Sequence, residues 1–381
     1  ALLADPAVEF AEPNFILTTQ DHAQPNDPRF NQLWGLNNTA QTNADVNALQ
    51  AWHSQTGSDV VVAVVDSGLD FNHPEFASNV WTNPNEIANN GIDDDGNGYV
   101  DDVRGWDFVN NDNNPMDDNN HGTHVAGTIA AQGNNGIGVV GVNWNARIMP
   151  LKFMNNLGRG TVANAISAIN YAVANGAVVS NHSWGGTGFS TALSNAIARA
   201  NVAGHLVIAA AGNSGNNSDI SPIFPGAFDL PNIISVAATD QNDGLANFSN
   251  FGANSVDLGA PGVAIVSTVR NGNYASFNGT SMATPHVVGA AALLLAQNPA
   301  LEAPELKAAI LNSVDPVNSL AGRSVTGGRL NIAQALLQVA PTVNIDVSPI
   351  SAQIEIGQTQ QFTASGGTTP YTWSVNNPVV A

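Results

Sequence analysis

The sequence predicts an α/β domain in which a parallel sheet is covered by helices on both faces. Three observations predict it: apolar runs of strand length recur, they alternate with helical stretches, and the intervals suit strand-helix-strand crossovers. The runs are residues 60–66 (VVVAVVD), 147–153 (RIMPLKF), 177–184 (AVVSNHSW), 205–213 (HLVIAAAGN) and 232–239 (NIISVAAT). The first is apolar without a break, as a strand buried on both faces requires, and the others read the same way. Between them lie residues 161–176 (TVANAISAINYAVANG) and 190–204 (STALSNAIARANVAG), helical in pattern, the first closed by Gly176 as a C-cap. Residues 265–277 (IVSTVRNGNYASF) read as an antiparallel hairpin turning at Asn271-Gly272. Val287–Ala296 is a ten-residue apolar helix, too short to cross a bilayer.

Two segments stand apart. After Pro341 the helices cease, and polar and apolar residues alternate between Gly/Thr turns, as in the opening strands of a β-sandwich cut short. The first 20 residues also differ in character from the α/β region. They show no signal peptide, since Asp5, Glu9 and Glu12 interrupt any apolar region, and with no initiating Met the chain reads as a processed or truncated piece.

Composition narrows the function. The 381 residues are 43% hydrophobic, enough for a sizeable core. Ten Lys and Arg face 30 Asp and Glu, a formal charge of −20. That balance argues against nucleic acid or anionic lipid as partner, because phosphate binding needs clustered cations. It suits a secreted, soluble protein with bound cations. There is no cysteine, which excludes disulfides and thiolate chemistry.

Three reactive side chains stand at element ends beside glycine. Asp66 closes the strand in VVDSGLD, His121 opens a helix in NNHGTHVAGTIAA, and Ser281 opens the apolar helix in NGTSMATPHV. In an open parallel sheet such ends gather along one edge, where sites form. There a histidine can take the serine proton while a carboxylate fixes the imidazole, and the helix N-terminus favours a developing oxyanion. Taken singly, Ser281 also reads as a helix N-cap. His124 and His286 read as packed core residues, for no third metal ligand is at hand.

DSG, HGTHVAGT and GTSMATPHV, in that order, closely resemble the motifs of the subtilisin-like (subtilase) serine proteases, over roughly residues 25–340. The resemblance implies a subtilisin-like three-layer fold around a central parallel sheet. It implies Asp66 as orienting carboxylate, His121 as general base and acid, and Ser281 as nucleophile. VIAAAGNSG implies Asn213 as a side-chain oxyanion donor. SNHSWGG implies Ser183, Trp184 and Gly185 as the wall of the first specificity pocket. SPIFPG places Ile223 at the far end of that pocket, where a smaller residue is common, so a shallower apolar pocket is expected. NLGRGT implies Gly158, Arg159 and Gly160 as the edge that pairs with extended substrate.

Calcium is the expected cofactor. Nine acidic residues lie between Asp93 and Asp118 against a single base, Arg104. Asp93, Asp95, Asn97 and Asp101, with Gly98 at the sixth position, open a loop like D-x-[DN]-x-[DN]-G. Arg104 stands where an EF-hand has its bidentate Glu, so Asp102 or a more distant carboxylate would have to complete the set. The alternative is a solvated acidic loop. The resemblance implies a second site from Asp27, Glu75, the Asn135 side chain and the carbonyls of Gly133, Ile137 and Val139, Glu75 standing in place of the commoner Asp.

The ends complete the expectation. Residues 1–20 resemble the tail of an inhibitory propeptide, processed between Leu17 and Pro25; residues 21–340 form the catalytic domain. Residues 341–381 resemble the start of an immunoglobulin-like domain. The whole reads as a secreted or cell-surface, calcium-stabilised serine endopeptidase, monomeric and cleaving extended protein or peptide segments through an acyl-enzyme, with its own propeptide as inhibitor. Two other readings are a non-catalytic calcium-binding adhesin or pseudoprotease on the same fold, and an esterase. The GTSMA context lacks the G-x-S-x-G elbow of lipase-like hydrolases.

Overall fold

The structure, a computed structural model, describes residues 24–340, 346–349 and 360–365. The chain divides into two units, the larger running from His22 to Ala340. The smaller is described only where Asp346–Ser348 pairs antiparallel with Thr363–Ser365. The propeptide expectation and the rest of the sandwich expectation lie outside the described residues.

In the larger unit the strands are β1 (Val61–Asp66), β2 (Trp106–Asp107), β3 (Arg147–Lys152), β4 (Val179–His182), β5 (Leu206–Ala210), β6 (Ile233–Thr239), β7 (Leu258–Pro261), the hairpin β8 (Ile265–Val269) and β9 (Asn273–Phe277), β10 (Asp315–Pro316) and β11 (Gly328–Arg329). The helices are α1 (Ala48–Trp52), α2 (His121–Ala130), α3 (Val162–Ala174), α4 (Thr191–Val202), α5 (Thr280–Gln297), α6 (Ala303–Leu311) and α7 (Ile332–Val339). Nine strands form one sheet in the order β10-β11-β7-β6-β5-β4-β1-β3-β2, parallel except for the β10 edge.

Alternation along the strands explains the layers, since successive side chains point to opposite faces. Val62 and Val64 of β1 join a core with Val125 and Ile129 of α2 and Val288 and Leu293 of α5. Ala63 and Val65 join a separate core with Ala165 and Ala168 of α3. Beside them Val207 of β5 packs with Ile197 of α4. Helix α5 is buried for most of its length, which is why its apolar residues show no single preferred face.

The order β4-β1-β3 places the first strand between two later ones. Chain direction across the sheet reverses there, and parallel strands present their C-termini at one edge. Asp66 ends β1, Ser183 follows β4 and Asn213 lies just past β5, all at that edge. The indole of Trp184 donates to the Val65 carbonyl at 2.9 Å, tying the segment after β4 to the end of β1.

Candidate active site

His121 Nδ1 donates to Asp66 Oδ1 at 2.7 Å, and the Asp66 side chain is 0% exposed. Donation from Nδ1 leaves the Nε2 lone pair free to accept a proton. The start of α2 is built to hold this ring. Asn120 takes a left-handed conformation without capping the helix, and three other groups serve its free N–H donors. His121 N donates to Asn119 Oδ1 at 3.3 Å, Gly122 N to Ser67 Oγ at 2.9 Å and Thr123 N to Asp117 Oδ2 at 3.0 Å. Gly122 is required by close approach: a Cβ there would lie 2.2 Å from the Gly68 carbonyl oxygen.

Asp117 is a second buried carboxylate beside the histidine, held by the hydroxyls of Ser67 and Thr123. Burial works against the imidazolium, yet the charge and hydrogen bond of Asp66, with the charge of Asp117 behind it, raise the His121 pKa above its ordinary value. Lys152, opposite Asp66 in the β1–β3 register, is buried and donates to Asp118 Oδ1 (2.7 Å), the Ser67 carbonyl (2.9 Å) and the Met154 carbonyl (3.0 Å).

Ser281 is the second residue of α5, not the residue before it, so the N-cap reading fails. The helix opens at Thr280, and Gly279 is the cap residue at φ 156°, ψ 159°, a region open only to glycine. Ser281 Oγ accepts no helix N–H; it donates to the Ser183 carbonyl at 3.0 Å. Its backbone N–H, in the first turn of the helix, has no partner among the described residues, and the Gly279 carbonyl takes Met282 N (3.0 Å) and Ala283 N (3.3 Å).

Asn213 is fixed by its oxygen. Oδ1 accepts from Thr280 N at 2.8 Å and Thr280 Oγ1 at 2.9 Å, and Thr280 Oγ1 accepts from Gly212 N at 3.2 Å. This sets the amide orientation and leaves Nδ2 with no partner among the described residues. Nδ2 and the Ser281 N both lie close to Gly279, where a Cβ would fall 3.5 Å from each nitrogen. Two unpaired donors beside a hydroxyl, at a helix N-terminus, can stabilise an oxyanion.

Of the substrate-contact candidates, Ser183, Trp184 and Gly185 follow β4 directly, with Ser183 Oγ donating to the Ser281 carbonyl at 2.8 Å. Gly158, Arg159 and Gly160 form a tight turn in which Asn155 N donates to the Arg159 carbonyl at 3.0 Å. The Gly158 carbonyl and both backbone groups of Gly160 have no partner among the described residues, which leaves an edge for an extended peptide. His124, stacked on Phe277 with ring centroids 4.4 Å apart, and His286, bonded through Nδ1 to the Met282 carbonyl at 2.9 Å, are buried core residues.

The acidic loop groups its residues differently from the sequence expectation. Asp95 stays in the cluster, but with Glu86 and Asp102, whose ligand atoms all lie within 4.8 Å of one another, a geometry suited to a metal ion. Asp93 instead accepts from Asn97 N (3.0 Å) and Gly98 N (2.8 Å), and Asp101 from Asn90 N and Gly91 N (both 3.0 Å). Their oxygens hold loop N–H groups. Asn97 stands inside the cluster through its amide, which donates to Asp95 and Asp102 at 3.0 Å each. Glu86 Oε2 is buried without a partner among the described residues.

In the second expected set, Asn135 Oδ1 accepts from Ile137 N at 2.7 Å. Glu75 is fully buried; it accepts from Val139 N at 2.7 Å, Tyr274 OH at 2.9 Å and Asn135 Nδ2 at 3.1 Å. Asp27 Oδ2 accepts from Asn134 N at 2.8 Å while its Oδ1 is buried and unpaired among the described residues. The carbonyls of Gly133, Ile137 and Val139 also accept no hydrogen bond there. Burial raises the pKa of both carboxyls.

Sequence reasoning missed Asp117, Ser67 and Thr280. The signal for Asp117 was present, an acid four residues ahead of a helix start, and Thr280 adjoins the nucleophile.

The Subtilase family model matches residues 57–334. The chain is 38% identical over 338 residues to a thermophilic serine proteinase of Bacillus sp. (strain AK1), covering 88% of this chain and 74% of that protein. It is 39% identical over 313 residues to thermitase of Thermoactinomyces vulgaris, covering 82% and 99%. Among solved structures, a protease of Pseudoalteromonas arctica matches with a TM-score of 0.69 at 32% identity, over 83% of this chain and 99% of that one. The chain therefore belongs to the subtilase family, and it is a serine endopeptidase.

Proposed function

We propose that this endopeptidase acts outside the cell, is stabilised by calcium, and cleaves extended protein segments through an acyl-enzyme on Ser281. The 2.7 Å bond between His121 and fully buried Asp66 carries the catalytic assignment. Ser281 Oγ gives up its bond to the Ser183 carbonyl and passes its proton to His121 Nε2 as Oγ bonds to the peptide carbonyl carbon. Electron density moves onto the carbonyl oxygen, between the Ser281 N–H and Asn213 Nδ2. His121 then returns the proton to the leaving amine as the C–N bond breaks. Water, activated by the same nitrogen, releases the acid and restores Ser281. Extended substrate pairs along Gly158–Gly160, beside Arg159, with Ser183, Trp184 and Gly185 opposite.

Calcium fits the donor sets, since every group offered is oxygen and the two sites hold buried, unpaired carboxylate atoms on Asp27 and Glu86. One ion would be held by Asp27, Glu75, Asn135 and the carbonyls of Gly133, Ile137 and Val139, the other by Glu86, Asp95 and Asp102. Bound calcium supplies positive charge to desolvated carboxylates and takes no part in acyl transfer. Binding only the folded state stabilises it, by about 2.7 kcal/mol at a hundred times the dissociation constant.

Residues before 21 serve as the inhibitor of the unprocessed form, and the enzyme works as a monomer; both follow from the sequence resemblance alone. No described helix is long and apolar enough to cross a membrane. Casein hydrolysis by the intact chain and by Ser281→Ala, each with and without chelator, tests the proposal. Activity is expected only from the former and to decay faster with chelator; casein cleavage by Ser281→Ala contradicts it.

A further inference from the structure

His121 stands among more carboxylates than the one that orients it. Asp66 is fully buried, and its Oδ1 accepts from both His121 Nδ1 and Ser67 N at 2.7 Å. Its Oδ2 is buried with no partner among the described residues. Asp117 and Asp118 precede the histidine by four and three residues. Burial opposes the imidazolium, but Asp66 and Asp117 favour it more, and the His121 pKa is raised. An imidazole that is already protonated cannot take the serine proton, so negative charge here helps only up to a point.

One buried cation opposes that charge. Lys152 ends β3 opposite Asp66, on a strand about 4.8 Å away, and its side chain is 2% exposed. Its ammonium has three N–H donors and gives one each to Asp118 Oδ1 (2.7 Å), the Ser67 carbonyl (2.9 Å) and the Met154 carbonyl (3.0 Å). Ser67 is also the residue whose N–H holds Asp66. Its Oγ donates to Asp117 at 2.9 Å and accepts from Gly122 N on α2 at 2.9 Å. The ammonium is therefore locked to the residue after the catalytic carboxylate and to an acid just ahead of the histidine.

The other charged groups around His121 come from each element beside it. Asp70 adds a fourth carboxylate, which holds the N–H groups of Asn72 and Asn271. The hairpin brings Arg270, whose backbone N–H donates to Asn120 Oδ1 at 3.2 Å, and the substrate edge brings Arg159. Arg270 is half-buried and Arg159 exposed. α2 and α5 contribute His124 and His286, both neutral at working pH because desolvation lowers their pKa to about 4. Salt screens exposed charges far more than buried ones, which leaves Lys152 as the strongest positive field among the described residues.

We infer that Lys152 is a positioning residue of the catalytic pair, its buried ammonium offsetting the carboxylates around His121 so that the imidazole stays free to act as a base near neutral pH. The inference rests on the proposed role of His121. Its signature is a matter of sign. Without Lys152 the Asp118 charge is uncompensated, the imidazolium is favoured, and the acid limb of kcat/KM moves to higher pH. Without the Asp118 charge the ammonium acts alone, and the limb moves to lower pH. Both changes break the same ion pair, so a purely structural role moves the limb for neither variant, or the same way for both.

The test measures kcat/KM for one peptide anilide across the acid limb. It compares the intact chain with Lys152→Met, Lys152→Arg, Asp118→Asn and the double variant Lys152→Met/Asp118→Asn. Phosphonylation of Ser281 by a small fluorophosphonate counts active sites in each sample. Lost hydrogen bonds lower the height of the profile, so only its midpoint is read. Lys152→Met is expected to raise the midpoint by about 0.5 pH unit and Asp118→Asn to lower it by a similar amount, the size a charge about 10 Å away produces at an intermediate dielectric. The double variant and the charge-conserving Lys152→Arg are expected close to the intact midpoint. Midpoints unmoved, or moved the same way by the two single variants, overturn the inference and, with Ser281 still phosphonylated, leave the catalytic assignment standing. If Lys152→Met does not fold, Asp118→Asn decides: a lower midpoint supports the inference, and an unmoved or higher one overturns it. An intact chain whose Ser281 does not react overturns the catalytic assignment and the inference with it.

Discussion

Ser183 and Ser281 exchange hydrogen bonds: Ser183 Oγ donates to the Ser281 carbonyl at 2.8 Å, and Ser281 Oγ to the Ser183 carbonyl at 3.0 Å. Helix geometry explains the first bond. The carbonyl of residue 281 would ordinarily accept from the N–H of residue 285, but Pro285 has none. Ser183 supplies the missing donor, so a proline inside the helix couples the nucleophile's backbone to the substrate wall. Ser183→Ala leaves that carbonyl without its donor and is expected to cost about 1–3 kcal/mol in urea unfolding. An unchanged unfolding midpoint speaks against the coupling.

Asn213 presents Nδ2 only because Thr280 holds its oxygen. Asn213→Ala is expected to lower kcat by about 10²–10³ with little change in KM; that size is the family's own precedent for such an amide and not a product of this geometry. Thr280→Val, which removes the hydroxyl contact but keeps the backbone donor, should produce a smaller loss. Steady-state kinetics on one peptide substrate check both, and a loss confined to KM contradicts the oxyanion role.

The raised pKa of His121 sets the acid limb of activity. The ring must be neutral to accept the serine proton, so kcat/KM is expected to fall as pH drops through a pKa above the ordinary 6.5. The stability linkage runs the other way. The Asp66–imidazolium pair contributes fully below pH 6.5 and loses its contribution as pH rises through the folded-state pKa. At alkaline working pH it therefore does little for stability. Asp66→Asn should move the limb to lower pH while sharply reducing the rate; an unmoved limb contradicts the assignment.

Buried histidines make the fold sensitive to acid. Desolvation lowers the pKa of His182 to about 3 and of His124, His205 and His286 to about 4. The unfolded chain binds these protons near pH 6.5, so their contribution is whole above that pH and is lost as pH falls toward 3–4. Ser180 Oγ bridges His182 Nε2 and His205 Nε2 at 2.7 Å each, while His182 Nδ1 is buried and unpaired among the described residues. His182→Met keeps Ser180 bonded to His205 and removes one such ring. Chemical unfolding at pH 7 and pH 4 should show a smaller acid loss for the variant, and an equal loss is the contrary result.

Calcium removal is expected to lower the unfolding temperature. Glu86→Gln, which replaces the buried unpaired oxygen with an amide, should weaken that dependence without changing kcat at saturating calcium. Scanning calorimetry across a calcium series measures it; a chelator that leaves the intact chain's unfolding temperature unchanged contradicts both sites.

Much of this was legible in the sequence because its signals are local. Apolar runs mark strands such as Val61–Asp66 wherever they sit, and the Asp66, His121 and Ser281 motifs each carry their own glycines. What was hidden depends on loops meeting. β7 is only Leu258–Pro261, with Gly, Ala and Pro after its leucine, and shows no strand pattern without its neighbour β6. Asp93 and Asp101 carry ligand-type spacing and in the fold accept loop N–H groups, while Glu86, which that spacing does not mark, converges on Asp95 and Asp102. Spacing reports which oxygens exist; only the fold decides which are free.

The central claim is that His121 strips the proton from Ser281. Its most direct measurement is the rate and position of phosphonylation by a fluorophosphonate, located by peptide mass spectrometry in the intact chain and in His121→Ala. The account predicts a single adduct on Ser281, formed about 10²–10⁴ times faster in the intact chain. An adduct on another residue, or equal rates in the two proteins, would contradict it.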